Sequence, residues 1–150
     1  MKTTTLEEDI ISTLKGMLGE SILESKSPRL RRVYISVKRK AHRRAVSALL
    51  KVFPSTILST ITGIDLGETI EINYHFWCGK AEVTIRTNVP KSKPEIETIT
   101  DIIPGASLYE REVHDLLGVR FINHPNLAKL LLPESWPENS YPLRLSLIHI

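Results

Sequence analysis

The segment SLYEREVHDLLGVRF, residues 107–121, sets Tyr109, Glu110, Arg111, Glu112, His114 and Asp115 among leucines and valines. Carboxylates, an imidazole and a guanidinium within one helix length are the materials of acid–base chemistry, of metal binding or of a charged docking surface. Glu110 and His114, four apart, could offer two ligands to a metal. No third ligand is set by the spacing, and His124 would have to arrive across a turn. Projected at about 100° per residue, Tyr109, Val113, Leu116 and Leu117 form an apolar stripe. Glu110 and Glu112 fall on opposite edges of it, and Arg111 and Asp115 point away. Two carboxylates so separated do not share a proton, so a catalytic dyad is not expected. The pairs Arg111–Asp115 and Glu110–His114 are worth only a few tenths of a kcal/mol each if exposed. A solvated, ion-paired helix accounts for much of the charge, and a docking surface is the use that remains.

Positioning this segment falls to its ends. Ser107 and Glu110 have the S-x-x-E spacing of a capping box, which predicts a helix from Leu108, and Gly118 is placed to end it. Upstream, Leu6, Ile10, Ile11, Leu14, Met17 and Leu18 make a helical stripe over residues 5–18, stopped at Gly19, with Glu7, Glu8 and Asp9 complementing the helix dipole. ESILES is a short strand candidate, and RRVYISVKR a better one, alternating at Val33, Ile35 and Val37. RKAHRRAVSALLKVF turns helical, with Ala45, Val46, Leu49, Leu50 and Phe53 on one side and the basic residues on the other, until Pro54. TILSTITGID, TIEINYHFW and KAEVTIRTNV are strands rich in β-branched residues, joined through DLGE and CGK as hairpins. EIETITDII reads as a short amphipathic helix. This order predicts a two-layer α+β domain, a mixed sheet with helices on one face, over residues 1–123. Pro125, Pro133, Pro137 and Pro142 make residues 124–150 an extended tail that needs a surface to lie on, expected to be that of a partner subunit.

Composition narrows the function. No run reaches the roughly 18 apolar residues of a membrane span, and the start, MKTTTLEEDII, does not read as a secretory signal. The chain has one cysteine, Cys78, too few for an iron–sulfur cluster or a CxxC zinc site, and in INYHFWCGK it reads as a buried, inert thiol. There is neither a dinucleotide-binding glycine fingerprint nor a phosphate loop. Ten of the 20 Lys and Arg lie between Glu24 and Asp65, a window without a single acid. An anionic partner and a solvated basic face both explain such a block. With Tyr34 available for stacking, a nucleic-acid-binding module is the competing class of function.

YEREVHDLLGVRFINHPNLAKLLLPESW…PLR resembles the signature of the 30-kilodalton subunit family of respiratory complex I and related membrane-bound [NiFe]-hydrogenase complexes. The pattern is met by Glu110, Arg111, Glu112, Asp115, Leu116, Leu117 and His124; ITGID and YHF agree with further segments. The resemblance implies a non-catalytic subunit on the peripheral arm of an ion-translocating oxidoreductase, with no activity alone. Its partners would be the large catalytic subunit and the small iron–sulfur subunit, without nucleic acid. It would hold no cofactor itself, the iron–sulfur clusters, and in the hydrogenase type a nickel–iron centre, lying in those partners. Its place would be the cytoplasmic side of the cell membrane, attached only through partner subunits. The residues it assigns to the partner interface are Glu110, Arg111, Glu112, Asp115, His124, Trp136 and Arg144.

Overall fold

The computed structural model describes residues 5–127, 132, 135, 137 and 140–144. Helix α1, Leu6–Leu18, begins where Thr5 Oγ1 accepts the Glu8 amide at 3.2 Å. It buries Ile10, Leu14 and Leu18, one line at a spacing of four, while Met17 is turned outward. Strands β1, Ile22–Arg29, and β2, Arg32–Val37, form an antiparallel hairpin. Val33, Ile35 and Val37 are buried on alternate positions of β2. Helix α2, His42–Val52, follows, burying Ala45, Val46 and Leu49, and packs with α1. The chain leaves it just before Pro54, which cannot continue the ladder. His42, at the start of α2, is buried: its Nδ1 donates to the Arg39 carbonyl at 2.8 Å and its ring stacks on Tyr74.

Strands β3, Ile57–Asp65, β4, Thr69–Cys78, and β5, Ala81–Pro90, complete a five-stranded sheet in the order β1-β2-β5-β4-β3. The connections within β3–β4–β5 are too short for anything but antiparallel pairing, whereas β2 and β5 run parallel, so the sheet is mixed as predicted. Side-chain bonds tie β4 to β5: His75 Nδ1 lies 3.1 Å from Thr84 Oγ1, and Arg86 Nε donates to Asn73 Oδ1 at 3.0 Å. Cys78 is buried, and burial pushes its thiol up, the state of an unreactive core sulfur.

Desolvation holds the His75 imidazole below its ordinary value of 6.5, with Glu82 pulling the other way and Arg86 adding to the depression. An unfolded chain therefore binds the proton first. Stability attributable to His75 is present above about pH 6.5 and falls as pH drops from there toward the folded value. A His75→Gln variant is expected to lose this part of the acid-side slope, which urea titration at pH 7 and pH 5.5 measures. An unchanged slope would refute it.

The chain divides into two compact units: residues 1–59 with 73–87, and residues 60–72 with 88–150. The second corrects the sequence-based expectation for EIETITDII. Glu95–Glu97 is a short strand, β6, not a helix, and it pairs in parallel with β7, Arg120–Ile122. Helix α3, Ala106–Leu117, is the crossover between them, as a parallel pair requires. Backbone bonds extend the pairing at both ends, Arg120 N to Pro94 O at 2.8 Å and Thr98 N to Ile122 O at 2.9 Å. Three residues are too few to show a period, and the partner that makes them a strand lies beyond the next helix. The described tail residues belong to this second unit.

Candidate partner-docking site

Helix α3 begins at Ala106 behind Gly105, with no side-chain cap. The predicted capping box is not made, because both its members have other partners. Ser107 Oγ lies 3.3 Å from His124 Nε2. Glu110 is fully buried: its carboxylate accepts from the Thr98 hydroxyl and, at 2.9 Å, from the Ile99 amide. An N–H and an O–H converging from the end of β6 satisfy a carboxylate that would otherwise be costly to bury. Thr98 has one hydroxyl proton, and with that on the carboxylate its oxygen accepts the Thr100 amide at 3.1 Å.

His124 closes the pocket. Its Nε2 lies 3.9 Å from Glu110 Oε1, with both side chains inaccessible to solvent. The Asn126 amide points at Nδ1 at 2.9 Å, so Nδ1 accepts and Nε2 carries the proton, which reaches the Ser107 carbonyl at 3.1 Å. The expected Glu110–His114 pairing is replaced by this arrangement. His114 Nδ1 donates instead to the Val119 carbonyl at 2.9 Å, across the helix end.

Asp115, expected to point away, is 3% exposed and accepts the Leu132 amide at 3.3 Å. Arg111 and Glu112 are half-buried and Leu108 is exposed. Val113 and Leu117 are buried, and both approach Gly63 of β3, where a Cβ would overlap the Leu117 side chain. That glycine is the ITG of the sequence signature. Tyr109 and Leu116, assigned to the buried stripe, are half-buried; the inward positions go to Glu110 and Asp115 because polar groups wait there to receive them.

The C-terminal end of α3 holds what sequence reasoning missed. Gly118 stops the helix as predicted, at φ +78°, its amide returning to the His114 carbonyl at 2.9 Å. The Tyr141 ring lies directly on it, so a Cβ at Gly118 would meet ring carbons at 2.5–2.7 Å. The Leu143 amide donates to the Leu116 carbonyl at 2.9 Å and Arg144 Nε to the Leu117 carbonyl at 2.7 Å. Two carbonyls left over by the helix are thus satisfied by the tail, and a cation sits where the helix dipole favours one. The Arg144 guanidinium also lies over the Tyr141 ring at 4.9 Å. Trp136 lies outside the described residues.

Among the described residues no cluster of three His, Cys, Asp or Glu could hold a metal ion, and no helix is long and apolar enough to cross a membrane. A mixed sheet, a small β6–α3–β7 crossover and a charged helix held by buried polar contacts make this an α+β fold. Residues 35–147 match the family described as respiratory-chain NADH dehydrogenase, 30 Kd subunit, and the chain belongs to it. It is 36% identical over 91 residues to the NADH-quinone oxidoreductase C subunit of Moorella thermoacetica, covering 58% of this chain and 60% of that protein. Formate hydrogenlyase subunit 5 of Escherichia coli is 40% identical over 65 residues, covering 43% of this chain and 11% of that protein. The chain thus spans less than two thirds of the length of these relatives. Among solved structures, a chain of the membrane-bound sulfane sulfur reductase, an archaeal respiratory membrane complex, superposes with a TM-score of 0.79 at 26% identity. That alignment covers 91% of this chain and 82% of the other. A trypsin-resistant fragment of Nqo5 shares the fold, with a TM-score of 0.66 at 21% identity, over 80% of this chain and 98% of the fragment.

Proposed function

We propose that this chain is a non-catalytic subunit on the peripheral arm of a membrane-attached, ion-translocating oxidoreductase. The complex would be related to NADH:quinone oxidoreductase and to membrane-bound hydrogenases. The family match over residues 35–147 carries the reading. The chain would contact the large catalytic subunit and the small iron–sulfur subunit, which would hold the redox centres, and would reach the cytoplasmic side of the membrane only through them. It would keep its neighbours in register, without an activity of its own.

The site residues divide by burial. Glu110, Asp115 and His124 act from within, by fixing the pose of α3 and the start of the tail. Arg111 and Glu112 are half-buried and Leu108 and Leu143 exposed, and these would meet a neighbour; the family signature assigns Trp136 to the same interface. Arg144 would hold the end of the tail in place for that contact.

Purification of a tagged chain from native membranes tests this reading. Recovery with a large and a small redox subunit is expected, and recovery alone would refute it. Arg111→Ala is expected to lower the yield of intact complex several-fold while assembled complex keeps its turnover per molecule. A normal yield with lost turnover would assign Arg111 to the reaction instead.

A further inference from the structure

We propose that the end of the sheet formed by the β1–β2 and β4–β5 turns is a docking surface for an acidic segment of another subunit; this rests on the reading of the chain as a subunit. Parallel pairing of β2 with β5 sets two turns far apart in sequence side by side. Arg32 is opposite Glu82, and the Glu82 amide bonds the Arg31 carbonyl at 2.7 Å. The two-residue turn Leu30–Arg31 carries Leu30, the most exposed large apolar side chain described, at 79%. Extending the register of the His75–Thr84 and Asn73–Arg86 bonds by two residues pairs Trp77, 47% exposed, with Glu82, and Lys80 lies in the turn beyond.

The turn is not built for ease of folding. Arg31 sits at φ +66°, a conformation that favours glycine or asparagine, so the arginine is kept against local preference. Strain of that kind collects where a side chain has work outside its own fold. The hairpin is held in shape by the Ser27 hydroxyl, which donates to the Arg32 carbonyl at 2.7 Å, and a rigid tip loses little freedom on binding.

Charge identifies the occupant. Glu82 is matched by Arg32 at 3.6 Å and Glu24 by Lys26 at 3.7 Å. Among the described residues no carboxylate lies within ion-pair distance of Arg29, Arg31 or Lys80. Three uncompensated cations flanking a leucine and a tryptophan fit a segment bearing carboxylates and an apolar side chain. Beside these cations, Leu30 and Trp77 offer much less apolar area than the acyl chain that a basic patch must accompany for stable attachment to a lipid surface, so a protein partner is favoured.

The test places the photo-reactive residue p-benzoylphenylalanine at position 30 in the purified complex, with position 51 on α2 as the control. Irradiation is expected to join position 30, and not position 51, to an acidic stretch of another subunit. Combined Arg29→Gln and Lys80→Gln changes should reduce that adduct about tenfold. Arg31→Gly separates docking from folding: it relieves the backbone, so the isolated chain should melt no lower than the wild type, while the adduct falls. Complex that contains the chain but gives no adduct at position 30, an adduct insensitive to these charges, or one to lipid or nucleic acid overturns the inference. Absence of the chain from any complex overturns the functional reading first, and the inference with it.

Discussion

Glu110→Ala is expected to destabilise the chain by about 3 kcal/mol, because it strands two buried donors, each worth about 1–3 kcal/mol when left unsatisfied. The Thr98 hydroxyl and the Ile99 amide have converged on that carboxylate at the end of β6. Losing it loosens the β6–α3–β7 crossover at its middle. Glu110→Gln keeps an acceptor oxygen but turns an NH₂ toward one of the two donors, so about half the loss is expected. At roughly 2–4 °C per kcal/mol for a chain of this size, Glu110→Ala should melt about 6–12 °C lower by circular dichroism. Leu108, exposed on the same helix, sets the scale, since Leu108→Ala should shift the isolated chain by no more than about 2 °C. Equal, small shifts for both would mean that the buried network contributes nothing.

The second large effect is at Gly118. An alanine there meets two obstacles: a left-handed backbone costing about 1 kcal/mol and the ring of Tyr141. To make room the ring must leave. The Leu143 and Arg144 bonds to the last carbonyls of α3 go with it, at about 1 kcal/mol each. Gly118→Ala is therefore expected to cost about 2–3 kcal/mol and to speed exchange of the Leu143 amide by at least tenfold. In a Tyr141→Ala background only the backbone part should remain, about 1 kcal/mol, so the two substitutions are non-additive. Additive losses, or a Leu143 amide that already exchanges freely in the wild type, would show that the tail does not rest on the helix. From the sequence alone, a proline-broken tail is expected to exchange fast throughout in the isolated chain. The bonded amides of Asn126, Leu132, Leu143 and Arg144 are where the structure changes that expectation. Docking of the tail on a partner, as expected from the sequence, would act on the side of Tyr141–Arg144 that their own helix leaves uncovered.

Much of the architecture could be read directly. Helix α1, strands β2 to β5 and the stop at Gly118 each follow from a period or a breaker contained within a dozen residues. Local chemistry dominates there: alternate burial selects Val33, Ile35 and Val37, and no distant partner competes. The pattern of charges in α3 was legible too, as a signature. Its meaning was not. Whether Glu110 caps its own helix or crosses to Thr98 and Ile99 is a competition between a local amide and two donors delivered by β6. That strand exists only because it pairs with β7, beyond the helix. Periodicity carries no information about such a pairing, since three residues have no period. The same holds for Tyr141 on Gly118: the sequence requires a glycine for the backbone, while the ring that also forbids a side chain arrives from the far end of the tail. What the sequence determined by itself were the longer elements and the family, because both lie in short-range order. Only the tertiary structure decided which charged residues face inward, because burying a carboxylate depends on donors that other parts of the chain must bring to it.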